Sequence, residues 1–181
     1  MIRFIKEKLS CLFTLFRFLL RKMCFFSNFK FSLIECFSPF SVVCLERKSK
    51  VFFGKSLLVR RGTKIVVRKG GELSIGNCAF INYDCVIACR QKIVIGDNTQ
   101  IGPKVCIYDH DHDYKGQKGY VCSDVIIGKN VWIGAGSVIL RGCIIGDNSI
   151  IAAGSVVKCI VPPNTVLIQK KENILTKYEC E

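Results

Sequence analysis

From Gly71 onward the chain keeps a beat of six. Isoleucine or valine stands at 75, 81 and 87, at 95, 101 and 107, and then at 127, 133, 139, 145, 151 and 157. The spacing breaks twice, by an eight-residue step before Ile95 and a twenty-residue step before Ile127. Four residues after nine of these anchors comes a compact residue: Ala79, Cys85, Thr99, Val105, Val131, Ser137, Cys143, Ser149 or Ser155. A helix repeats at 3.6 and a half-buried strand at 2, so neither accounts for six. A solenoid does: each hexad is one flat face, its aliphatic residue points inward, and small residues fit the tight corners.

The most regular stretch is IGKNVWIGAGSVILRGCIIGDNSIIAAGSVV, residues 127–157. This pattern, over roughly residues 57–168, resembles the hexapeptide-repeat acyltransferases. The resemblance implies an all-β fold, a left-handed parallel β-helix, together with a trimeric assembly. Left-handed connections are rare, so the handedness comes from the resemblance and not from the spacing.

The twenty-residue step predicts a loop near 111–124 thrown out from the solenoid. Its root is IYDHDHDYKGQKGYVC, residues 107–122, which holds His110 and His112, the only two histidines of the chain. Long loops on a rigid scaffold are where function concentrates; the bland alternative is a solvated polar loop. In the maltose, galactoside and polysaccharide O-acetyltransferases a histidine precedes such a loop, one coil ahead of a WIG motif. His110 and Val131-Trp132-Ile133-Gly134 match that arrangement. The resemblance implies that His110 is the general base of an acetyl-CoA-dependent O-acetyltransferase acting on a sugar hydroxyl, of a surface polysaccharide or its precursor.

The chemistry explains the residue type. A sugar hydroxyl is barely ionised at neutral pH, and an imidazole with a pKa near 6.5 can take its proton as it attacks a thioester, worth roughly 10²–10⁴-fold. The developing oxyanion needs a donor, which the family draws from backbone near Gly134–Ala135. In an extended segment His112 shares a side with His110 and the aspartates point the other way. An orienting or acceptor-side role for His112 stands beside that of a plain loop residue, and the role of Asp109 is left open. A metal reading is weaker, because hexapeptide carbonic anhydrases need three histidines per site; no metal is expected.

Further resemblance implies that Asn82, within Phe80-Ile81-Asn82-Tyr83, contacts the acceptor; alternatively it caps a coil corner. Trp132, the only tryptophan, is a wall of the acceptor pocket or a hydrophobic plug between coils. Coenzyme A is expected along a groove between subunits, against Gly134, Ala135, Ala152 and Ala153, with Lys158 beside them. Lys170, Lys171 and Lys177 are candidates for its phosphates. After Pro162-Pro163-Asn164 the sequence departs from the family's usual Gly-x-Pro turn.

Charge divides the chain. Residues 1–72 hold 16 Lys and Arg against 4 acids, a net +12; residues 73–181 hold 11 against 10. Three segments are expected: a basic amphipathic one over 1–50, the β-helix over 51–168 and a tail over 169–181. In the first, Ile2, Ile5, Leu9, Leu12, Phe16, Leu19 and Met23 form one helical stripe. Its longest uncharged run, eight residues, is too short to span a bilayer. An in-plane helix on an anionic membrane over residues 1–24 fits the charge; a cap packed on the solenoid is the other reading, and nucleic acid is not expected. The twelve cysteines form no CxxC pair, and no cleavable signal peptide is apparent. They read as reduced thiols of a cytosolic protein. Rival functions are a xenobiotic acetyltransferase of the same fold and a non-catalytic scaffold. A serine acetyltransferase fits less well, lacking that family's helical N-terminal domain.

Overall fold

A computed structural model describes residues 12–13, 16, 29–30, 36–114, 116 and 119–170. From Phe29 on, the chain winds into three parallel sheets, each coil giving one strand to each sheet in turn. The first sheet runs from Phe29–Lys30 to Ile160–Val161, the second from Cys36–Phe37 to Val166–Leu167, and the third from Val42–Leu45 to Val156–Val157. The parallel β-solenoid expected from the hexads is the fold.

All twelve anchors from Ile75 to Val157 are buried, none above 1% exposed. The nine compact residues four places on are buried as well. The corners explain why several of these carry a hydroxyl or thiol. Each turn leaves a carbonyl facing the interior, and an unmet buried carbonyl is costly. Thr99 Oγ1 donates to Gly128 O (2.8 Å), Ser149 Oγ to Pro162 O (2.8 Å) and Cys143 Sγ to Val157 O (2.9 Å). Cys85, Cys89 and Cys143 are thus core and corner residues, and they are free thiols, as are Cys44, Cys78, Cys106, Cys122 and Cys159. On the corner after the first sheet, Asn98, Asn130, Asn148 and Asn164 hold φ between 54° and 58°, which asparagine tolerates better than most residues. Their amides ladder from coil to coil, Asn130 to Asn148 and Asn148 to Asn164.

The sheets begin before residue 51, where the sequence pattern places the start of the solenoid. Val42–Leu45 pairs with Lys64–Val67, and Phe29–Lys30 with Val51–Phe52. The coils here are longer: Lys50 pairs with Glu72, 22 residues on, whereas Ile126 pairs with Ile144, 18 residues on. Four-residue strands and longer corners stretch the beat and hide it. At the other end Gln169 stands in for a strand: its Oε1 accepts Val156 N (2.9 Å) and its Nε2 donates to Val156 O (2.8 Å). The amphipathic helix expected over residues 1–24 lies outside the described residues, apart from Leu12, Phe13 and Phe16, which are helical and exposed. Among the described residues no helix is long and apolar enough to cross a membrane.

Candidate active site

After Tyr108 the chain leaves the third sheet and forms an antiparallel hairpin, His110–His112 against Tyr120–Cys122. The excursion expected near 111–124 is therefore a hairpin, and His110 starts its first strand. Ser123 N donates to Asp109 O (2.9 Å) and closes the base. Arg141 Nε donates to Asp111 Oδ2 (2.7 Å), and Gln91 Nε2 to Asp124 Oδ1 (2.7 Å), fastening the hairpin to the coils on either side.

Asp109 is wholly buried. Its carboxylate accepts Arg90 N on both oxygens (2.9 Å each) and Gln91 N on Oδ2 (2.7 Å). Arg90 and Gln91 form the turn that carries the chain from the third sheet to the first in the preceding coil. The fourth contact is His110 Nδ1, 2.8 Å from Oδ1. The imidazole is 16% exposed and stands edge-on to Tyr108 and Tyr120, with centroids 6.4 and 5.7 Å away. His112 is exposed and lies 4.7 Å from the same Tyr120 ring. Arg90 Cζ sits 3.6 Å from the Tyr120 centroid, a cation–π contact that pins this ring.

Neighbouring acids are poor rivals to the imidazole. Burial pushes the Tyr108 hydroxyl up to about 12. Burial and then the Asp109 charge push the Cys89 and Cys122 thiols up. All three keep their protons at neutral pH. Among the described residues no three His, Cys, Asp or Glu side chains are placed to hold a metal ion.

The other expected site residues lie elsewhere on the coil. Asn82, Gly134 and Ala152 directly follow strands of the second sheet, and the column is tied by bonds such as Asn82 N to Ile101 O (3.0 Å) and Gly134 N to Ile151 O (2.8 Å). Asn82 caps its corner: its Oδ1 accepts Tyr83 N (2.9 Å), leaving the amide NH₂ to meet a ligand. Gly134 is fixed by coil stacking, since a Cβ there would come within 2.4 Å of Ala153 N. Ala135 and Ala153 are exposed on that edge. Trp132 points outward from the second sheet and is 58% exposed, which rules out the plug between coils. Lys158 follows the third sheet and is exposed, on the same edge as His110. One chain therefore does not bring the two groups together: His110, His112 and Lys158 line one edge of the third sheet, and Asn82, Gly134, Ala135, Ala152 and Ala153 the other. Of the proposed phosphate lysines Lys170 is exposed, while Lys171 and Lys177 lie outside the described residues.

Sequence reasoning left Asp109 without a role, although a signal was present. Ile107 points inward, and alternation along a strand sends residue 109 inward too. Arg90 and Tyr120 had no such signal, being brought in by the turn below and the returning hairpin strand.

Comparison with known proteins agrees with this geometry. The family described as bacterial transferase hexapeptide (six repeats) matches residues 124–159. Nodulation protein L of Rhizobium meliloti is 48% identical over 77 residues, 40% of this chain and 42% of that protein. The chain thus spans less than half the length of that relative. The putative lipopolysaccharide biosynthesis O-acetyl transferase WbbJ of Escherichia coli K12 is 27% identical over 150 residues, 76% of each chain. A hexapeptide-repeat-containing acetyltransferase from Vibrio cholerae, solved with acetyl coenzyme A, superposes with a TM-score of 0.53 at 32% identity, over 66% of this chain and 64% of that one. The coils, the buried anchors and these relatives agree: the chain carries the hexapeptide repeat of the bacterial transferases over residues 124–159 and is similar to hexapeptide-repeat acetyltransferases beyond it.

Proposed function

We propose that the protein transfers an acetyl group from acetyl coenzyme A to a sugar hydroxyl, on a surface polysaccharide or its precursor. The observation that carries this reading is His110, a half-hidden imidazole bonded to a buried carboxylate at the root of a hairpin. Bound acetyl coenzyme A would supply an activated thioester carbonyl. His110 takes the proton from the attacking hydroxyl as the C–O bond forms, and a backbone amide near Gly134–Ala135 meets the developing negative charge. As the C–S bond breaks, the departing thiolate takes the proton back from His110. The edge fits a thin acyl-donor arm, because Ala135 and Ala153 are exposed and small and Ala152 is half-buried. The printed name of the lipopolysaccharide relative and the acetyl coenzyme A held by the Vibrio structure support the donor and acceptor classes.

His110 and Lys158 stand on one edge of the third sheet, Asn82 and the small residues on the other. A shared site then requires the edge of one chain to face the opposite edge of a neighbour, as in the homotrimer with grooves between subunits that the resemblance implies. Asn82, His112 and Trp132 contact the acceptor in this arrangement. The deciding experiment is His110→Ala. Turnover should fall by about 10²-fold or more while coenzyme A binding stays nearly intact. Full activity in that variant would remove the base.

Residues 1–24 place the enzyme on the cytoplasmic face of an anionic membrane, through the apolar stripe and its Lys and Arg neighbours. Each such cation near an anionic surface contributes roughly 1 kcal/mol and is screened by salt. The full-length protein should sediment with anionic vesicles and release partly at high salt, and deletion of 1–24 should abolish sedimentation. Aggregation or loss of the oligomer after that deletion, with no vesicle binding, would make the segment a cap instead.

A further inference from the structure

We propose that Asp109 is a positioning residue: it holds His110 in the tautomer with the proton on Nδ1, leaving Nε2 as the nitrogen that accepts the substrate proton. The proposal rests on the reading of His110 as the base.

A wholly buried carboxylate persists only if its lone pairs are met. Here the Arg90 and Gln91 amides meet both oxygens. An ionised carboxylate only accepts. His110 Nδ1 lies 2.8 Å from Oδ1, so an attractive contact there requires Nδ1 to carry the proton. In a neutral imidazole the other nitrogen is then bare. Tyr108 and Tyr120, both edge-on, restrict the ring, and Arg90 Cζ lies 3.6 Å from the Tyr120 centroid.

A second consequence concerns placement. The Arg90 and Gln91 amides belong to the coil preceding His110, so the carboxylate ties the hairpin root to the solenoid. The orientation of the base is set by the rigid stack and not by the hairpin tip.

The test needs no substrate. The chain has two histidines, and His112→Gln leaves His110 as the single imidazole. Two-bond ¹H–¹⁵N correlation spectra of the ¹⁵N-labelled full chain, at a pH of about 8 where a free imidazole is neutral, should show a protonated Nδ1 and a bare Nε2. A proton on Nε2, or the averaged pattern of an unrestrained ring, overturns the proposal. Asp109→Asn should abolish the Nδ1–H preference and lower kcat about 10–100-fold, as the loss of orienting partners does for other histidines, with KM for acetyl coenzyme A unchanged. An unchanged tautomer and kcat in that variant would equally overturn it. If Asp109→Asn does not fold, the tautomer in the His112→Gln protein decides alone. Failure of the base reading is separate: His110→Ala would then be active whichever tautomer is found.

Discussion

On the first sheet the early coils turn Lys50, Phe52, Glu72, Ser74 and Lys92 outward, while the last two turn out Ile144 and Ile160. The second sheet does not change in this way: its outward column reads Leu58, Phe80, Gln100, Trp132, Ile150 and Val166, apolar at nearly every coil. Inward the two halves are alike, with Ile65, Ile75, Ile133 and Ile151 all at 1% exposure or less. Stacking dictates the interior, because each coil must bury the faces of its neighbours. It leaves the exterior free. Ile144, Ile150, Val156, Ile160 and Val166 are between 37% and 68% exposed, with Ile144 beside Ile160 on the first sheet and Ile150 beside Val166 on the second, and exposed apolar pairs of this kind mark contact with another molecule. The late exterior is thus suited to assembly through the coils that carry the small-residue edge, while the early exterior mixes Lys50, Lys64 and Lys92 with exposed Val42 and Phe52.

The largest effect should come from reversing the late exterior. Lysine at Ile144, Ile150 or Val156, one on each face, should turn the mass in gel filtration with light scattering from three chains to one for whichever face lies in the interface. Lys64→Ser in an early coil should leave the mass unchanged. If all three late variants keep the parent mass, the exteriors differ for some reason other than assembly.

Next comes the interior. Ile65→Ala and Ile133→Ala, early and late, should each lose about 2–5 kcal/mol in denaturant unfolding, the cost of a large-to-small change at a buried site. Similar losses would show that the halves differ only outside. A silent late substitution would mean that the short coils close over the gap and are not packed like the long ones.

The smallest effect lies at the charged early surface. Arg68 Nη1 donates to Glu46 Oε1 (2.7 Å), and Lys69 N to Oε2 (2.9 Å). The Arg68 hydrogen bond, then that of Lys69, holds the Glu46 carboxyl below its ordinary value. Its contribution is therefore present above the unfolded carboxylate pKa and fades as pH falls through the lowered folded one. Both side chains are largely exposed, so Glu46→Gln should cost at most about 1 kcal/mol at pH 7 and nothing measurable in strong acid. A loss above that would mean that the pair anchors the early coils.

What could be read in advance follows the same division. The anchors and compact corners were legible because one local requirement recurs at every turn. The early coils were not, since Phe37, Leu45, Leu57 and Phe53 do the same inward work at a stretched interval. His110 was legible from its place before the excursion. Its setting was only half so: Asp109 follows from strand alternation, but Arg90 and Tyr120 reach it through a turn and a hairpin whose geometry the residues do not spell out. Nor does a linear pattern say that Asn82 and His110 stand on different edges until the corners are assigned to sheets.

The Gln169 amide that bonds both backbone groups of Val156 has a consequence for size. A repeating stack contains no internal instruction to stop, and an open row of N–H and C=O groups would accept another strand from any chain. On the third sheet one side chain meets that row at Val156 by imitating a peptide unit. Because it touches only the backbone of that sheet's last strand, it does not sense how many coils lie beneath. The cap is therefore independent of coil number, and a repeat gained or lost upstream would leave it intact.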